Sequence, residues 1–567
     1  MGGMKRSLPG LLLLAAPSAA QTPCQSSGGP DLVVAELQQI SNYASSGNLE
    51  ALALGKIYCN LGSVWTNCIS TTNQHPLAAP GLFRLQPAGG VEHFEQVGIG
   101  WVFHSFLALS GSTCCNDCQP TDGTHVGVHC SDTNTSSSSG TQASLGPRWQ
   151  VNAFNGAFTY PPANPGWSGS TARRLQVELA DLAPTGGTNA PRYFAEVLMV
   201  APDEALAGNG GNNASHRELS LAGSGSAWTF ALMSTTQREA PAIQAWQDAD
   251  PAVQIAQVQI PGEGVLVLAW KTTALGNGVF HYEYALYNLD SDDAVGSFSV
   301  PLGTGVGASN MGFHDVSYRD GDGIGSVNQD GTDWPALLGA GALSWSTDSF
   351  AVNPNANALR WGTLYNFRFD SDAAPTSGTL TIGLFKSGGS VQVSADVPLP
   401  PGTPTCFGDG SAGNCPCANY GLAPNGCANS SDASGAHLEA SGATLADPLT
   451  GTDTLVLHAS GMPPTATAIY LQGSTLTLPG VQLGDGVRCA SGILRRLAVV
   501  PSTGGASQYP GPGDLSISER SAQLGEVLLG TGNTRHYQAW YRDPVASYCP
   551  DPPGKNYNVS NVTSVGW

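Results

Sequence analysis

Cysteine has the clearest chemistry in this sequence, because thiols form disulfides or bind metals. Four of the 13 cysteines fall in the stretch CFGDGSAGNCPCANYGLAPNGCAN, which runs from Cys406 to Asn429. Glycine, alanine, asparagine and proline fill the intervals, and no hydrophobic residue recurs at a helical or strand period. Such a stretch cannot bury enough apolar surface to hold its own shape, so we expect a disulfide or a metal to hold it.

The spacing within this stretch favours disulfides over zinc. Structural zinc sites usually place ligands in pairs about two to four residues apart, often with histidine. Cys415 and Cys417 are separated by one residue, and the nearest histidine is His437. The C-terminal group of six cysteines therefore predicts three bridges, whose connectivity the sequence leaves open. The members of this group are Cys406, Cys415, Cys417, Cys427, Cys489 and Cys549.

The N-terminal group has seven cysteines, so at least one has no partner within the group. We expect the unpaired residue to be Cys24, near the start of the mature chain. The other six are predicted to form disulfides, and the doubled cysteine among them leaves their pairing open. These six are Cys59, Cys68, Cys114, Cys115, Cys118 and Cys130.

Two histidines in the sequence HVGVHC, His125 and His129, are candidate ligands of a transition metal, since imidazole and thiolate bind zinc and copper. Glycine and valine disfavour the helix that would place both rings on one face. On a strand the rings share a face but lie too far apart for easy chelation. The alternative is a pair of surface or loop histidines beside a disulfide.

Four aspartates in the glycine-rich sequence RDGDGIGSVNQDGTDW offer the hard oxygen ligands that Ca²⁺ prefers, so Ca²⁺ is the cofactor that the sequence suggests. The spacing begins like a calcium loop, but Ile324 occupies the next expected ligand position and no glutamate closes the loop. Aspartate and glycine are also ordinary turn residues, which is the alternative. The four candidates are Asp320, Asp322, Asp330 and Asp333.

The most enzyme-like local group is His314 with Asp315, because a histidine beside a carboxylate can serve acid–base chemistry. A core or turn role is the alternative for both residues. Glu283 alternates with tyrosines that we expect in a core, so its side chain is predicted to face solvent. Carboxylates such as these can pair in space for glycoside hydrolysis, but a sequence does not show that pairing.

Composition excludes several classes of partner. Asp and Glu total 42 against 22 Lys and Arg, which gives a formal charge of −20, and there is no basic run. Nucleic acids and anionic membranes are both bound through Lys and Arg. We therefore expect no nucleic-acid partner and no membrane insertion. Charged residues are only 11% of the chain, which is typical of turn-rich, extracellular all-β proteins.

Residues 1–20 are predicted to be a secretory signal peptide. Lys5 and Arg6 precede a short apolar run, and small residues end at Ala20. The run is shorter than the roughly 20 residues that span a bilayer. An exported chain meets oxidising conditions, in which disulfides persist. We therefore expect a secreted protein that is extracellular or held at the cell surface.

Strand patterns dominate the rest of the chain. Stretches such as FHYEYALYN and TLYNFRFD alternate in polarity between turns rich in Gly, Asn and Asp. A series of such strands predicts an antiparallel β-sandwich with Tyr282 and Tyr284 in its core. The predicted fold class is all-β, with two or three antiparallel β-sandwich-like domains and disulfides. The predicted segments are the signal peptide at 1–20, a mostly β N-terminal domain with long loops at 21–240, a β-sandwich at 241–396, a proline-rich linker at 397–405 and a disulfide-stapled β domain at 406–567.

The C-terminal motifs CFGDG, CPC, GCAN, GDGVRC, GGASQYPGPGD and YQAWYRDP, with the closing Cys549, resemble a domain at the ends of secreted and surface proteins of planctomycete-type bacteria, an uncharacterised family. The front of the chain resembles larger members in NQHP, GPRWQVN, GFHDVSY and NPNANALRWGTLYNFRFDSDAAPTSG. The resemblance implies export and a surface or matrix setting. It implies no activity, so no catalytic residue is carried over.

Together these features predict a secreted structural or adhesive protein of the cell surface or extracellular matrix, without catalysis. Its expected partners are surface polysaccharide or envelope and matrix proteins. One alternative is a polysaccharide-binding protein that uses exposed aromatics such as Trp540 or Trp167. Another is a secreted hydrolase with its site in the N-terminal or middle domain.

Overall fold

The computed structural model describes residue 24 and residues 27–567, except 277, 304–305, 340, 445–450, 546–547, 551 and 553. The predicted signal peptide, residues 1–20, lies outside the described residues. Strands make up 48% of the structure and helices 7%, so the fold is all-β, as the alternation predicts. Within the described residues, no helix combines the length and apolarity that crossing a membrane requires.

The N-terminal segment folds around a large antiparallel sheet. Its strands are β1 (Leu32–Ser46), β2 (Leu49–Asn60), β3 (Thr66–Asn67), β4 (Leu77–Ala88), β5 (Val91–Ile99), β6 (Val102–His104), β7 (His125–Val126), β8 (Ser131–Asn134), β9 (Leu145–Gly146), β10 (Leu175–Glu178), β11 (Arg192–Val200), β12 (Ala214–Ser224) and β13 (Ala227–Leu232). The main path of the sheet runs β1-β2-β10-β5-β4-β11-β12-β13. The helices of the chain are short: α1 (Ser136–Ser139), α2 (Pro202–Ala207), α3 (Gln244–Ala249) and α4 (Ile517–Gln523).

A two-glycine turn sets the register of the β4–β5 hairpin. Gly89 and Gly90 both have positive φ, +61° and +99°, the backbone conformation that tight hairpin turns require and that glycine adopts without strain. The resulting register places Arg84 opposite Glu95. The turn thereby fixes which β5 side chains share a face.

The middle segment is a sandwich of two antiparallel sheets. Its strands are β14 (Gln254–Ile260), β15 (Gly264–Gly276), β16 (Val279–Asn288), β17 (Val295–Pro301), β18 (Ala308–His314), β19 (Ala336–Gly339), β20 (Ala342–Ser346), β21 (Thr363–Ser371), β22 (Thr376–Leu384) and β23 (Ser390–Val397). One sheet runs β14-β15-β16-β21-β18 and the other β19-β20-β17-β22-β23. Tyr282 and Tyr284 are buried between them with Phe298 and Phe367, which confirms their predicted place in the core.

The N-terminal sheet packs on the outer face of the first sandwich sheet. Phe83 and Phe94 belong to one buried cluster with Tyr287 and Leu364 of the sandwich. The ring of Phe94 stacks 6.4 Å from that of Trp246. The sheets of these two segments therefore share a hydrophobic core.

The C-terminal segment holds one larger and one smaller antiparallel sheet. Its strands are β24 (Thr403–Thr405), β25 (His437–Ser441), β26 (Val456–Ser460), β27 (Thr467–Leu483), β28 (Gly486–Pro501), β29 (Ser507–Tyr509), β30 (Thr534–Arg542) and β31 (Tyr557–Gly566). The sheets run β24-β31-β30-β27-β28 and β25-β26-β29. Since β24 pairs with β31, the end of the predicted linker 397–405 belongs to the C-terminal sheet.

Six disulfides join the described cysteines. They are Cys24–Cys115, Cys59–Cys114, Cys118–Cys130, Cys406–Cys489, Cys415–Cys427 and Cys417–Cys549. The prediction for two N-terminal cysteines is wrong: Cys24 is bridged, and the free thiol is Cys68. The physical reason is location: Cys68 packs in the core cluster of the N-terminal segment, whereas Cys59 and Cys114 belong to a different cluster and Cys24 lies beside Cys115.

Candidate functional site

A buried polar cluster lies between the middle sandwich and the N-terminal sheet. Alternation along β16 places Tyr282 and Tyr284 in the sandwich core, so His281 and Glu283 point to the opposite face. There β5 contacts both β16 and β21. The prediction that Glu283 faces solvent is wrong, because β5 covers it and leaves its side chain only 2% exposed.

Three side chains bring metal-ligand atoms together in this cluster. His93 Nδ1 and His281 Nε2 each lie 2.9 Å from the same oxygen, Glu283 Oε2. The three ligand atoms all lie within 4.8 Å of one another, and in the described part of the chain no other group of His, Cys, Asp or Glu meets that spacing. We refer to His93, His281 and Glu283 as the histidine–glutamate triplet.

Neighbouring side chains fix the orientation of the triplet. His281 Nδ1 lies 2.7 Å from Asp370 Oδ1, and Asn310 Nδ2 donates to the other oxygen of Asp370 at 2.6 Å. Asn366 Nδ2 donates to Glu283 Oε1 at 2.5 Å. The atoms of His281 and Glu283 that point away from the shared contact are thus already engaged.

Two carboxylates determine the protonation of His281. Burial lowers the pKa of His281, but hydrogen bonds to Glu283 and Asp370, together with their charges, outweigh burial and raise the pKa above its ordinary value. Because an imidazole can donate from both nitrogens only when protonated, the two carboxylates favour the imidazolium form of His281. In this form the cluster is a buried ion pair.

A second group of charges continues the network along β5. Glu95 accepts from Arg84 at 2.7 Å and from Arg368 at 3.3 Å, and Arg84 also contacts Asp181 at 3.2 Å. Burial raises the pKa of Glu95, but the positive charges of His314, Arg84 and Arg368 outweigh burial and lower it. Of these contacts, the Glu95–Arg368 pair crosses from the N-terminal sheet to the sandwich, beside the triplet.

The triplet is suited to two kinds of chemistry. Two imidazole nitrogens and one carboxylate oxygen form a ligand set for first-row divalent metals, of which zinc is one. With a proton instead of a metal, the same atoms form the ion pair just described. His93 keeps 16% of its side chain exposed, so the cluster reaches solvent on its side.

The structure does not bring the predicted acid–base pair together. His314 Nε2 lies 3.2 Å from the backbone carbonyl of Gln96, on the side of the N-terminal sheet. Asp315 instead accepts a hydrogen bond from the Asn357 amide, and burial raises its pKa. Consecutive residues in extended backbone point to opposite sides, which explains the separation.

Two of the four predicted calcium ligands dock the loop on the N-terminal segment instead. Asp320 Oδ2 accepts from the Arg173 backbone N–H at 2.6 Å, and Asp322 Oδ1 accepts from the Arg148 backbone N–H at 2.6 Å. Burial raises the pKa of Asp322 to about 7, so this carboxyl is only partly ionised near neutral pH.

The other two aspartates lie at the exposed end of the loop. Asp330 Oδ1 accepts from Thr332 N at 3.0 Å and from Thr332 Oγ1 at 2.7 Å, which is a local turn. Asp333 is exposed. Among the described residues none of the four aspartates belongs to a group with metal-ligand spacing, so the structure does not bring the four predicted ligands together.

The predicted transition-metal histidines also have separate partners. His125 Nδ1 lies 2.9 Å from Thr124 Oγ1, and its ring contacts the ring of Trp65 at 5.3 Å. His129 Nδ1 lies 2.7 Å from Asp117 Oδ2. Within the described residues the two histidines are not part of a group with metal-ligand spacing, and each has its own partner.

The triplet was missed because its members are far apart in sequence. His93 and Glu283 are 190 residues apart, and each lies on a strand whose polar face resembles a solvent-exposed face. The usable signal is the repeated pair of titratable residues two positions apart, His93 with Glu95 on β5 and His281 with Glu283 on β16. Such pairs on two strands can meet if the strands pack face to face.

Comparison with known proteins identifies no family for this chain. No family model matches it, and no curated protein matches it. Among solved structures, it has a likeness to the full-length major pilin RrgB from Streptococcus pneumoniae, at 10% sequence identity and a TM-score of 0.15. The match covers 64% of this chain and 52% of the pilin, so the chain spans about half of that protein. With so low a TM-score, the likeness supports no argument about fold or function.

Proposed function

We propose that this chain is a non-catalytic structural or adhesive protein that works outside the cytoplasm, at the cell surface or in extracellular matrix. The observation that carries the proposal is the set of six disulfides in an all-β chain. Reducing conditions in the cytosol keep such thiols reduced, whereas secreted proteins retain their disulfides.

The span of the bridges supports a mechanical role. Cys24–Cys115, Cys406–Cys489 and Cys417–Cys549 close intervals of 91, 83 and 132 residues. In the chain-entropy model a bridge over roughly 100 residues stabilises the folded state by about 4.7 kcal/mol. Bridges at both ends of the chain therefore resist unfolding in a setting without chaperones.

The fate of the catalytic candidates supports the same proposal. His314 and Asp315 bond to different parts of the molecule and do not face one cleft. A hydrolase would need such groups to converge on one substrate atom.

Cell fractionation tests the proposed location. The producing cells are separated into cytoplasm, envelope and medium, and the chain is detected in each with and without reductant. We expect it in the envelope or medium, with faster migration before reduction because the bridges keep it compact. A cytoplasmic chain whose migration is insensitive to reductant would contradict the proposal.

A polysaccharide-binding role is the second candidate, favoured by one cavity. A concave space of about 240 Å³ is lined by Tyr160, Asn164 and Arg173, an aromatic ring beside polar groups. Of the predicted aromatics, Trp167 is 41% exposed, whereas Trp540 is half-buried beside Tyr557.

Glycan-array binding tests this second role. Tyr160→Ala should abolish binding, while Tyr420→Ala, which changes another exposed tyrosine (44% against 36% for Tyr160) in the C-terminal segment, should leave it unchanged. Equal binding by both variants would remove the cavity from consideration.

A further inference from the structure

We propose that the histidine–glutamate triplet binds one first-row divalent transition metal of the Zn²⁺ type. The ligands are His93 Nδ1, His281 Nε2 and Glu283 Oε2, and His93 is the most exposed of the three side chains. This site goes beyond the proposed structural function.

The distances lie close to those of a zinc centre. With metal–ligand bonds of about 2.0–2.1 Å in tetrahedral geometry, ligand atoms lie about 3.3 Å apart. His93 Nδ1 and His281 Nε2 each lie 2.9 Å from Glu283 Oε2. The two nitrogen–oxygen distances thus need to lengthen by about 0.4 Å when the metal replaces the bridging protons, and the two nitrogens already lie within 4.8 Å of each other.

The surroundings are those of a supported metal site. Metal-binding histidines usually donate their other N–H to a carboxylate, and ligand carboxylates are themselves hydrogen-bonded. His281 has Asp370 at 2.7 Å on its other nitrogen, and Glu283 has Asn366 at 2.5 Å on its other oxygen. Asn310 in turn holds Asp370 at 2.6 Å. A simple surface ion pair does not need this outer layer.

The charge balance also favours a cation. Glu283 and Asp370 place two carboxyl groups in a buried site, one beside each ring nitrogen of His281. A divalent metal supplies two positive charges beside these two carboxyl groups. When it binds, the contacts of His281 Nε2 and His93 Nδ1 with Glu283 Oε2 are replaced by three metal–ligand bonds. The protons that bridge these atoms pass to solvent or, for His93, to its Nε2.

The metal would also join two parts of the fold. His93 comes from β5 of the N-terminal sheet, and His281 with Glu283 comes from β16 of the sandwich. Binding should therefore raise the melting temperature of the full chain, because the metal binds only when β5 lies against β16.

Metal content of the full-length, disulfide-intact protein is the test. The chain is treated with EDTA, exchanged into Zn²⁺ or Co²⁺, freed of unbound metal and analysed by elemental mass spectrometry. Visible absorption of the Co²⁺ form reports nitrogen and oxygen ligation. We expect about one metal per chain, with a higher melting temperature than in EDTA.

Two variants and one control make the test specific. His93→Gln should weaken binding at least tenfold, and Asp370→Asn, which acts through His281, should weaken it about 10- to 100-fold. His458→Gln makes the same substitution on a C-terminal strand and should bind as the wild type does.

Either of two results would overturn the proposal. One is a folded wild-type protein, judged by its melting temperature, that retains no Zn²⁺ or Co²⁺. The other is wild-type affinity in His93→Gln or in folded Asp370→Asn. Because His93 is partly exposed, its variant is expected to fold and to give a clear result.

Discussion

Cys68 illustrates how environment, rather than spacing, decides the fate of a cysteine. It is 1% exposed in the core of the N-terminal segment. Burial, with the negative charge of Asp132, raises the pKa of its thiol to about 12. Since the thiolate is the reactive form, this thiol should be inert in the folded protein.

Thiol counting checks that expectation. The native protein at pH 8 should show no reactive thiol, and denaturation without reductant should expose one per chain. Cys68→Ala should show none in either state. Several thiols after denaturation would contradict the observed pairing.

His281 should make the metal-free protein less stable as pH rises. Its folded pKa is raised above the ordinary value of 6.5, so its stabilising effect is complete below about pH 6.5 and is lost as pH rises through the folded pKa. Urea unfolding in EDTA from pH 5 to 9 should show this loss in the wild type and not in His281→Gln. If the free energy of unfolding changed with pH equally in both proteins, the prediction would be contradicted.

His458→Gln serves as a control of opposite sign. Burial lowers the pKa of His458, so its unfavourable effect appears as pH falls below about 6.5. Replacing His458 should therefore raise the free energy of unfolding below about pH 6.5. The loss of stability that the wild type shows as pH rises should remain in this variant.

Among the structural elements, the C-terminal loops depend most on their bridges. Cys417–Cys549 spans 132 residues and Cys415–Cys427 spans 12. The chain-entropy model predicts a loss of about 5 kcal/mol for the double serine variant of the first pair and about 3 kcal/mol for the second. Denaturant unfolding of the two variants measures both losses, and a smaller loss for the longer loop would contradict the entropic explanation.

The packing of β5 depends on Phe94. It is fully buried in the cluster that joins the N-terminal sheet to the sandwich. Phe94→Ala should lower the free energy of unfolding by about 3–5 kcal/mol, because it leaves a cavity in that core. Phe154→Ala, at a residue 36% exposed, should cost less than about 0.5 kcal/mol. Equal effects in denaturant unfolding would show that the two sheets do not share a core.

Individual strands could be predicted from the sequence, but their packing could not. Alternation places Tyr282 and Tyr284 in a sandwich core because apolar residues two apart share a face. The same alternation cannot tell whether the opposite face meets water or another sheet. Glu283 is buried only because β5, almost two hundred residues earlier in the chain, packs over it. Because the residues that face each other across this contact are polar, the hydrophobic pattern that usually predicts burial is missing there.

At the scale of the whole molecule, the number of cysteines was informative and their pairing was not. An odd number guarantees one free thiol, but sequence position suggested Cys24 where core packing selects Cys68. The candidate metal site could not be predicted for a similar reason. Its ligands come from two segments, and no local sequence pattern indicates that these segments are in contact. The predicted calcium ligands show the same limit, because two of them bond to backbone N–H groups of another segment, a contact that the loop sequence does not record.

The proposal that this chain works outside the cytoplasm requires that its disulfides are formed in the natural protein. Mass-spectrometric peptide mapping of unreduced protein, taken from the producing cells without exposure to oxidant, tests this most directly. The predicted result is the six observed pairs, with Cys68 alone open to alkylation after denaturation. Free thiols, or zinc, at the six C-terminal cysteines would contradict it.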